Sequence, residues 1–190
     1  MRYHIYKMTL KIFLKSGVVA WVCAMSAVFL LWSSAAAQTP PEKRVALTFD
    51  DGPYGTATEQ ILDILEQKQV HATFFVIGRN VEKYPALARA IVADGNLIEN
   101  HSYDHSKYLA TMPIPKLDKE LDLAARAIVS ATTMHPHLFR PPYGNTSPHM
   151  LDEVRAKGYI VVLWNVDPRD SDYASSTPDA ILKTVMREVK

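Results

Sequence analysis

The chain is almost without cysteine. Its 190 residues include one, Cys23, so no internal disulfide is possible and an ordinary hydrophobic core must hold the fold. No sign of charge dominates, with 21 Lys and Arg against 20 Asp and Glu. No internal repeat is visible, and no low-complexity segment lies beyond the N-terminus. The longest apolar run, Gly17 to Trp32, is short for a membrane span, which needs about 20 residues.

What is present at the N-terminus reads as a secretory signal peptide over residues 1–37. Arg2, Lys7, Lys11 and Lys15 form a basic start without an acid, the apolar run follows, and Ala35-Ala36-Ala37 offers a small-residue cleavage site before Gln38. An uncleaved inner-membrane anchor is the alternative. A lipoprotein signal is excluded because Val22, before Cys23, is too bulky. Cleavage would remove Cys23 and those four cations, leaving 17 Lys and Arg against 20 Asp and Glu. No basic cluster survives, which argues against a nucleic acid partner. The expectation is a secreted or periplasmic monomer, free of the membrane once cleaved.

A polar linker, residues 38–43, precedes the folded region, residues 44–190. Val45-Ala46-Leu47 reads as a short buried strand, and Gly52-Pro53 as the turn after it. Thr56 to Glu59 has the spacing of a capping box, and Ile61, Leu62, Ile64 and Leu65 mark a helix face. Ala72 to Ile77 reads as a strand, and Pro85 to Gly95 brackets a helix. A brief strand at Leu97-Ile98 runs into Glu99-Asn100-His101. Leu117, Leu121, Ala124 and Ile128 define a third helix, and Leu138-Phe139 leads into the next turn. Ser147-Pro148 opens a fourth helix that Gly158 ends. Tyr159 to Val166 is the longest strand candidate, and Thr177-Pro178 starts a last helix. Strand and helix alternate five times, which predicts parallel strands with helices outside. Five units are too few to close an eight-stranded barrel, so the sheet stays open or the sequence is truncated.

The chemistry-bearing residues follow the strands. Asp50 and Asp51 are adjacent acids, tolerated cheaply if one binds a metal and the other meets a cation or proton. His101 and His105 are four apart and would face the same way on a helical turn. Two imidazoles with a carboxylate, Asp50 or Asp51 one βα unit away, suit an open zinc site. In Arg140-Pro141-Pro142-Tyr143-Gly144 the prolines fix the backbone. Arg140 could pair with a catalytic carboxylate and keep it ionised, and the Tyr143 N–H could meet an oxyanion. Asp167 is a candidate partner for Arg140. His71, His135, His137 and His149 lack such a setting.

Three motifs together, Thr48-Phe49-Asp50-Asp51-Gly52-Pro53, His101-Ser102-Tyr103-Asp104-His105 and Arg140-Pro141-Pro142-Tyr143, make the chain resemble the polysaccharide deacetylases, the NodB-homology carbohydrate esterases of family 4. The resemblance spans residues 44–190. It implies an α/β fold, a distorted (β/α) barrel here apparently lacking C-terminal strands, and a divalent metal, most often Zn²⁺, with Co²⁺ or Ni²⁺ possible. It makes Asp50 the general base, and Asp51, His101 and His105 the metal ligands. Arg140 tunes the base, the Tyr143 N–H stabilises the oxyanion, and Pro142 and Trp164 contact substrate. Two departures stand out. The fourth motif, Asp167-Pro168-Arg169-Asp170, is followed by Ser171 where the family usually has Trp, and the late Leu-x-His motif, whose histidine is the expected general acid, is absent.

The expected activity is metal-assisted removal of N-acetyl groups from a glycan such as peptidoglycan, chitin oligomers or poly-N-acetylglucosamine. The alternatives are ester deacetylation of xylan and a non-catalytic, glycan-binding relative.

Overall fold

The first strand carries its function inside itself. In the computed structural model, which describes residues 44–172 and 176–189, β1 is Thr48–Gly52, three residues later than the Val45–Leu47 run suggests. The ladder starts where the Thr73 N–H meets the Leu47 carbonyl, 3.0 Å away. Val45 and Leu47 are exposed. The signal peptide and linker expected over residues 1–43 lie outside the described residues.

Among the described residues five strands form one parallel sheet in chain order: β1, β2 (Thr73–Val76), β3 (Leu97–Asn100), β4 (Leu138–Phe139) and β5 (Ile160–Val161). The alternation of strand and helix is therefore borne out. The helices are α1 (Gly55–Lys68), α2 (Gly78–Lys83), α3 (Pro85–Ala93), α4 (Ile114–Thr132), α5 (Pro148–Ala156) and α6 (Pro178–Glu188). Short 3₁₀ turns sit at Leu109–Thr111 and Pro142–Gly144.

Side-chain alternation along β2 separates structure from site. Phe74 and Val76 join Leu62, Leu65, Ile91, Ile98 and Ile128 in one core cluster. Phe75, between them, is equally buried but belongs to neither core cluster. A second cluster joins Leu117 and Leu121 of α4 to Phe139 of β4 and to Met150 and Val154 of α5. Each such fully buried side chain contributes roughly 1.5–3 kcal/mol.

Two local expectations fail and one helix is unforeseen, each for an identifiable reason. The Thr56–Glu59 capping box does not form. The helix starts two residues earlier, with Tyr54 as N-cap, and the Tyr54 N–H donates to Thr58 Oγ1 at 2.8 Å. The extra helix α2 lacks sequence punctuation, because its first amides are capped by the distant carbonyls of Ser102 and Tyr103. The strand expected over Tyr159–Val166 shrinks to two residues. Among the described residues it pairs only with β4, and the carbonyls of Val162 and Leu163 turn instead to Arg140. The last helix forms as expected from Thr177, but it buries none of its side chains.

Candidate active site

The two adjacent aspartates reach one site because β1 breaks its own alternation. Asp50 pairs with Phe75 and Gly52 with Val76, which leaves Asp51 as an extra residue in a bulge. Its φ is 69°. In a regular strand neighbouring side chains take opposite faces; a bulge re-aims one of them. The Asn80 side-chain Nδ2 donates to the Asp51 carbonyl at 2.8 Å and holds the bulge from α2.

Asp51 Oδ1 lies 3.4 Å from His101 Nε2 and 3.1 Å from His105 Nε2. One ligand atom from each of the three residues lies within 4.8 Å of the others. The His101 imidazole is buried, and its Nδ1 sits 2.6 Å from the Arg140 carbonyl. A carbonyl only accepts, so Nδ1 carries the proton and Nε2 presents its lone pair toward the Asp51 oxygen. A lone pair facing a carboxylate oxygen is an arrangement that a cation between them relieves. The donor set of one carboxylate and two imidazoles thus fits a divalent ion with an open coordination position. When the His101 ring is protonated, its Nε2–H hydrogen-bonds to Asp51 instead, and this, with the charge that both imidazoles then carry, holds the Asp51 carboxyl below its usual range against the opposing effect of burial. Burial pushes the His105 imidazole down, toward the neutral form that ligates metals.

Two expectations about this group are corrected. His101 to His105 is not a helical turn; left-handed backbone at Ser102 (φ 66°) and His105 (φ 57°) brings the rings together. The carboxylate comes from two strands away, since β2 lies between β1 and β3.

Asp50 forms a separate pair. Arg140 Nη1 lies 2.7 Å from Asp50 Oδ1 and 2.8 Å from Thr48 Oγ1. Thr48 and Asp50 are two apart on one strand, hence on one face. Arg140 Nε and Nη2 donate to the carbonyls of Val162 and Leu163, both at 3.3 Å. The guanidinium is buried, 4.1 Å from the centre of the Phe75 ring and 5.7 Å from that of Trp164. Asp167 is not among its partners. Its carboxylate accepts the Arg169 N–H at 2.8 Å instead, closing a local turn, so the expected Arg140–Asp167 pair does not form.

Pro142 and Tyr143 lie in the 3₁₀ turn after β4. Tyr143 is left-handed at φ 60°, and its ring packs 4.8 Å from that of His105. Trp164 covers Gly144, where an added Cβ would come within 2.9 Å of the indole. Sequence reasoning missed Thr48, whose signal was its i, i+2 spacing to Asp50. It also missed Glu120, a buried acid inside the apolar stripe of α4.

The model of the polysaccharide deacetylase family matches residues 37–162. The chain belongs to the polysaccharide deacetylase family. One relative is the peptidoglycan-N-acetylmuramic acid deacetylase PdaC of Bacillus subtilis, 39% identical over 132 residues, which are 69% of this chain and 27% of PdaC. A solved structure of PdaC superposes with a TM-score of 0.73 at 34% identity, covering 80% of this chain and 72% of that one. A peptidoglycan-N-acetylglucosamine deacetylase of Bacillus cereus is 34% identical over 149 residues, 78% of this chain and 69% of the relative. A carbohydrate esterase family 4 pseudoenzyme from Bacillus anthracis also superposes, with a TM-score of 0.73 and 30% identity, covering 80% of this chain and 53% of that one. The five-stranded parallel sheet is thus part of the barrel type of this family, open between β1 and β5 among the described residues.

Proposed function

We propose that this family member is a divalent-metal-dependent hydrolase that removes N-acetyl groups from a polysaccharide or oligosaccharide of peptidoglycan, chitin or poly-N-acetylglucosamine type. The observation that carries this reading is the convergence of Asp51, His101 and His105 beside a separate Asp50–Arg140 pair. One acid is committed to the imidazoles and the other is left to handle a proton. The named deacetylase relatives support the choice of reaction.

When bound, the ion, Zn²⁺ by preference for this donor set and Co²⁺ or Ni²⁺ otherwise, would supply Lewis acidity to a water and to the acetyl carbonyl. Asp50 takes the proton of the attacking water, and Arg140 holds that carboxylate in place. Oxygen adds to the carbonyl carbon while the Tyr143 N–H donates to the developing oxyanion. The C–N bond then breaks as the proton held by Asp50 passes to the leaving nitrogen, giving acetate and the free amino sugar. Pro142 and Trp164 contact the substrate. The protein acts outside the cytoplasm, as a monomer, on glycan rather than nucleic acid.

The second reading, a glycan-binding protein without turnover, is favoured by one observation, the likeness to a pseudoenzyme. Acetate release from N-acetylglucosamine oligomers and from peptidoglycan separates the two. Chelation is expected to abolish release and Zn²⁺ or Co²⁺ to restore it. Asp50→Asn is expected to lower the rate by roughly a hundred- to ten-thousandfold while metal stays bound. Metal-loaded wild type that binds these glycans but releases no acetate from any of them would establish the second reading.

A further inference from the structure

The loop that joins the two histidines is held by its backbone, amide by amide. The Ser102 N–H donates to Asn100 Oδ1 at 2.8 Å, and the His105 N–H to Ser102 Oγ at 3.1 Å. The two amides between them, of Tyr103 and Asp104, both donate to one atom, Glu120 Oε2, at 3.1 and 2.9 Å. On the other side of the loop, the carbonyls of Ser102 and Tyr103 accept the N–H groups of Gly78 and Arg79 at the start of α2. Left-handed backbone at Ser102 and His105 is a conformation that side-chain-bearing residues keep only when their surroundings impose it. Consecutive amides aimed at one anion form such an imposition.

Glu120 is suited to that role by where it stands. It lies on α4, the longest helix among the described residues at 19 residues. Its neighbours on the buried stripe, Leu117, Leu121 and Ala124, are fully buried, and Glu120 itself is 9% exposed. A buried carboxylate needs donors, and a charged acceptor makes stronger hydrogen bonds than a neutral one. Glu120 is hydrogen-bonded to neither histidine ring, so its influence passes through the loop.

We propose that Glu120 is a positioning residue for the metal site. By fixing the Tyr103 and Asp104 amides to α4, it sets His105 relative to His101. The proposal rests on the metal-binding reading of Asp51, His101 and His105. Losing such an outer partner typically weakens metal binding 10- to 100-fold.

The test titrates the full-length, chelator-stripped protein with Co²⁺, read by its visible absorption. Wild type is compared with Glu120→Ala, Glu120→Gln and, as a control on the same helix, Asp122→Ala. Glu120→Ala is expected to bind about 10- to 100-fold more weakly with an altered spectrum. Glu120→Gln keeps a carbonyl oxygen for the two amides and should recover most of the affinity, while Asp122→Ala should match wild type. Amide exchange in the metal-free protein is the second readout. The Tyr103 and Asp104 amides should exchange faster in Glu120→Ala, and those of β2 should not. If Glu120→Ala fails to fold, Glu120→Asp, which keeps the charge but shortens the reach, is expected to shift both readouts the same way. Wild-type affinity, spectrum and exchange in the variant overturn the proposal alone. Wild-type protein that takes up no Co²⁺ overturns the reading of the site, and the proposal with it.

Discussion

Arg140 shows how one side chain organises a site. Its guanidinium joins Asp50 and Thr48 of β1 to the carbonyls that follow β5, and its own carbonyl accepts the His101 Nδ1–H. Both the aspartate pair and the imidazole tautomer therefore depend on one residue, through opposite ends of it. Glu99 is a second residue with a measurable signature. It is buried in β3 and accepts the His137 and Leu138 amides at 2.8 and 2.7 Å, which ties β3 to β4. Burial pushes its carboxyl above the usual 4.5, and those two amides only partly offset the shift. A folded-state value above the unfolded one means that ionisation opposes folding. The penalty is absent below the unfolded value, grows as pH rises through it, and is complete above the raised folded value. Glu99→Gln can keep both amide bonds through its carbonyl oxygen. It should gain stability relative to wild type as pH rises from about 4 toward neutrality, as the linkage relation requires. Urea unfolding at several pH values checks this; a difference that does not vary with pH would show that the Glu99 carboxyl is unperturbed.

Among the elements, α2 is the unexpected one and the most tightly placed. It approaches α4 so closely that a Cβ on Gly78 would sit 2.7 Å from Ala124 Cα and 2.7 Å from Tyr103 Cδ2. The same helix start caps the histidine loop through the Gly78 and Arg79 amides. Gly78→Ala should therefore destabilise by about 1–3 kcal/mol, the usual range for overpacking. Thermal unfolding reads this as a melting temperature several degrees lower, and an equal or higher value would refute the close approach. Gly55 is the contrast, since an added Cβ there meets nothing within 4 Å. The α4 stripe at Leu117, Leu121, Ala124 and Ile128 was legible because helical periodicity and burial coincide. The short β5 was not, since Tyr159 to Val166 has strand composition but meets only a two-residue partner.

For the whole molecule, the N-terminal reading makes a prediction that folding does not touch. If residues 1–37 are a cleaved signal, N-terminal sequencing of exported protein begins at Gln38; Met1 on membrane-held protein would establish the anchor instead. Among the described residues no helix is long and apolar enough to cross a membrane. The sequence by itself determined the order of strands and helices, the parallel sheet and the identity of Asp51, His101 and His105 as one group. Periodicity, punctuation and three motifs are local properties that the chain carries in one dimension. Only the tertiary structure decided that Asp51 sits in a bulge, that His101 and His105 converge through left-handed backbone rather than a helical turn, and that Arg140 takes Asp50 and not Asp167. Each of those depends on hydrogen bonds between residues 17 to 92 positions apart, such as Glu120 with Tyr103, Asn80 with Asp51 and Arg140 with Thr48. No local pattern encodes them, because the competing partners are compared only once the sheet has brought them to the same end.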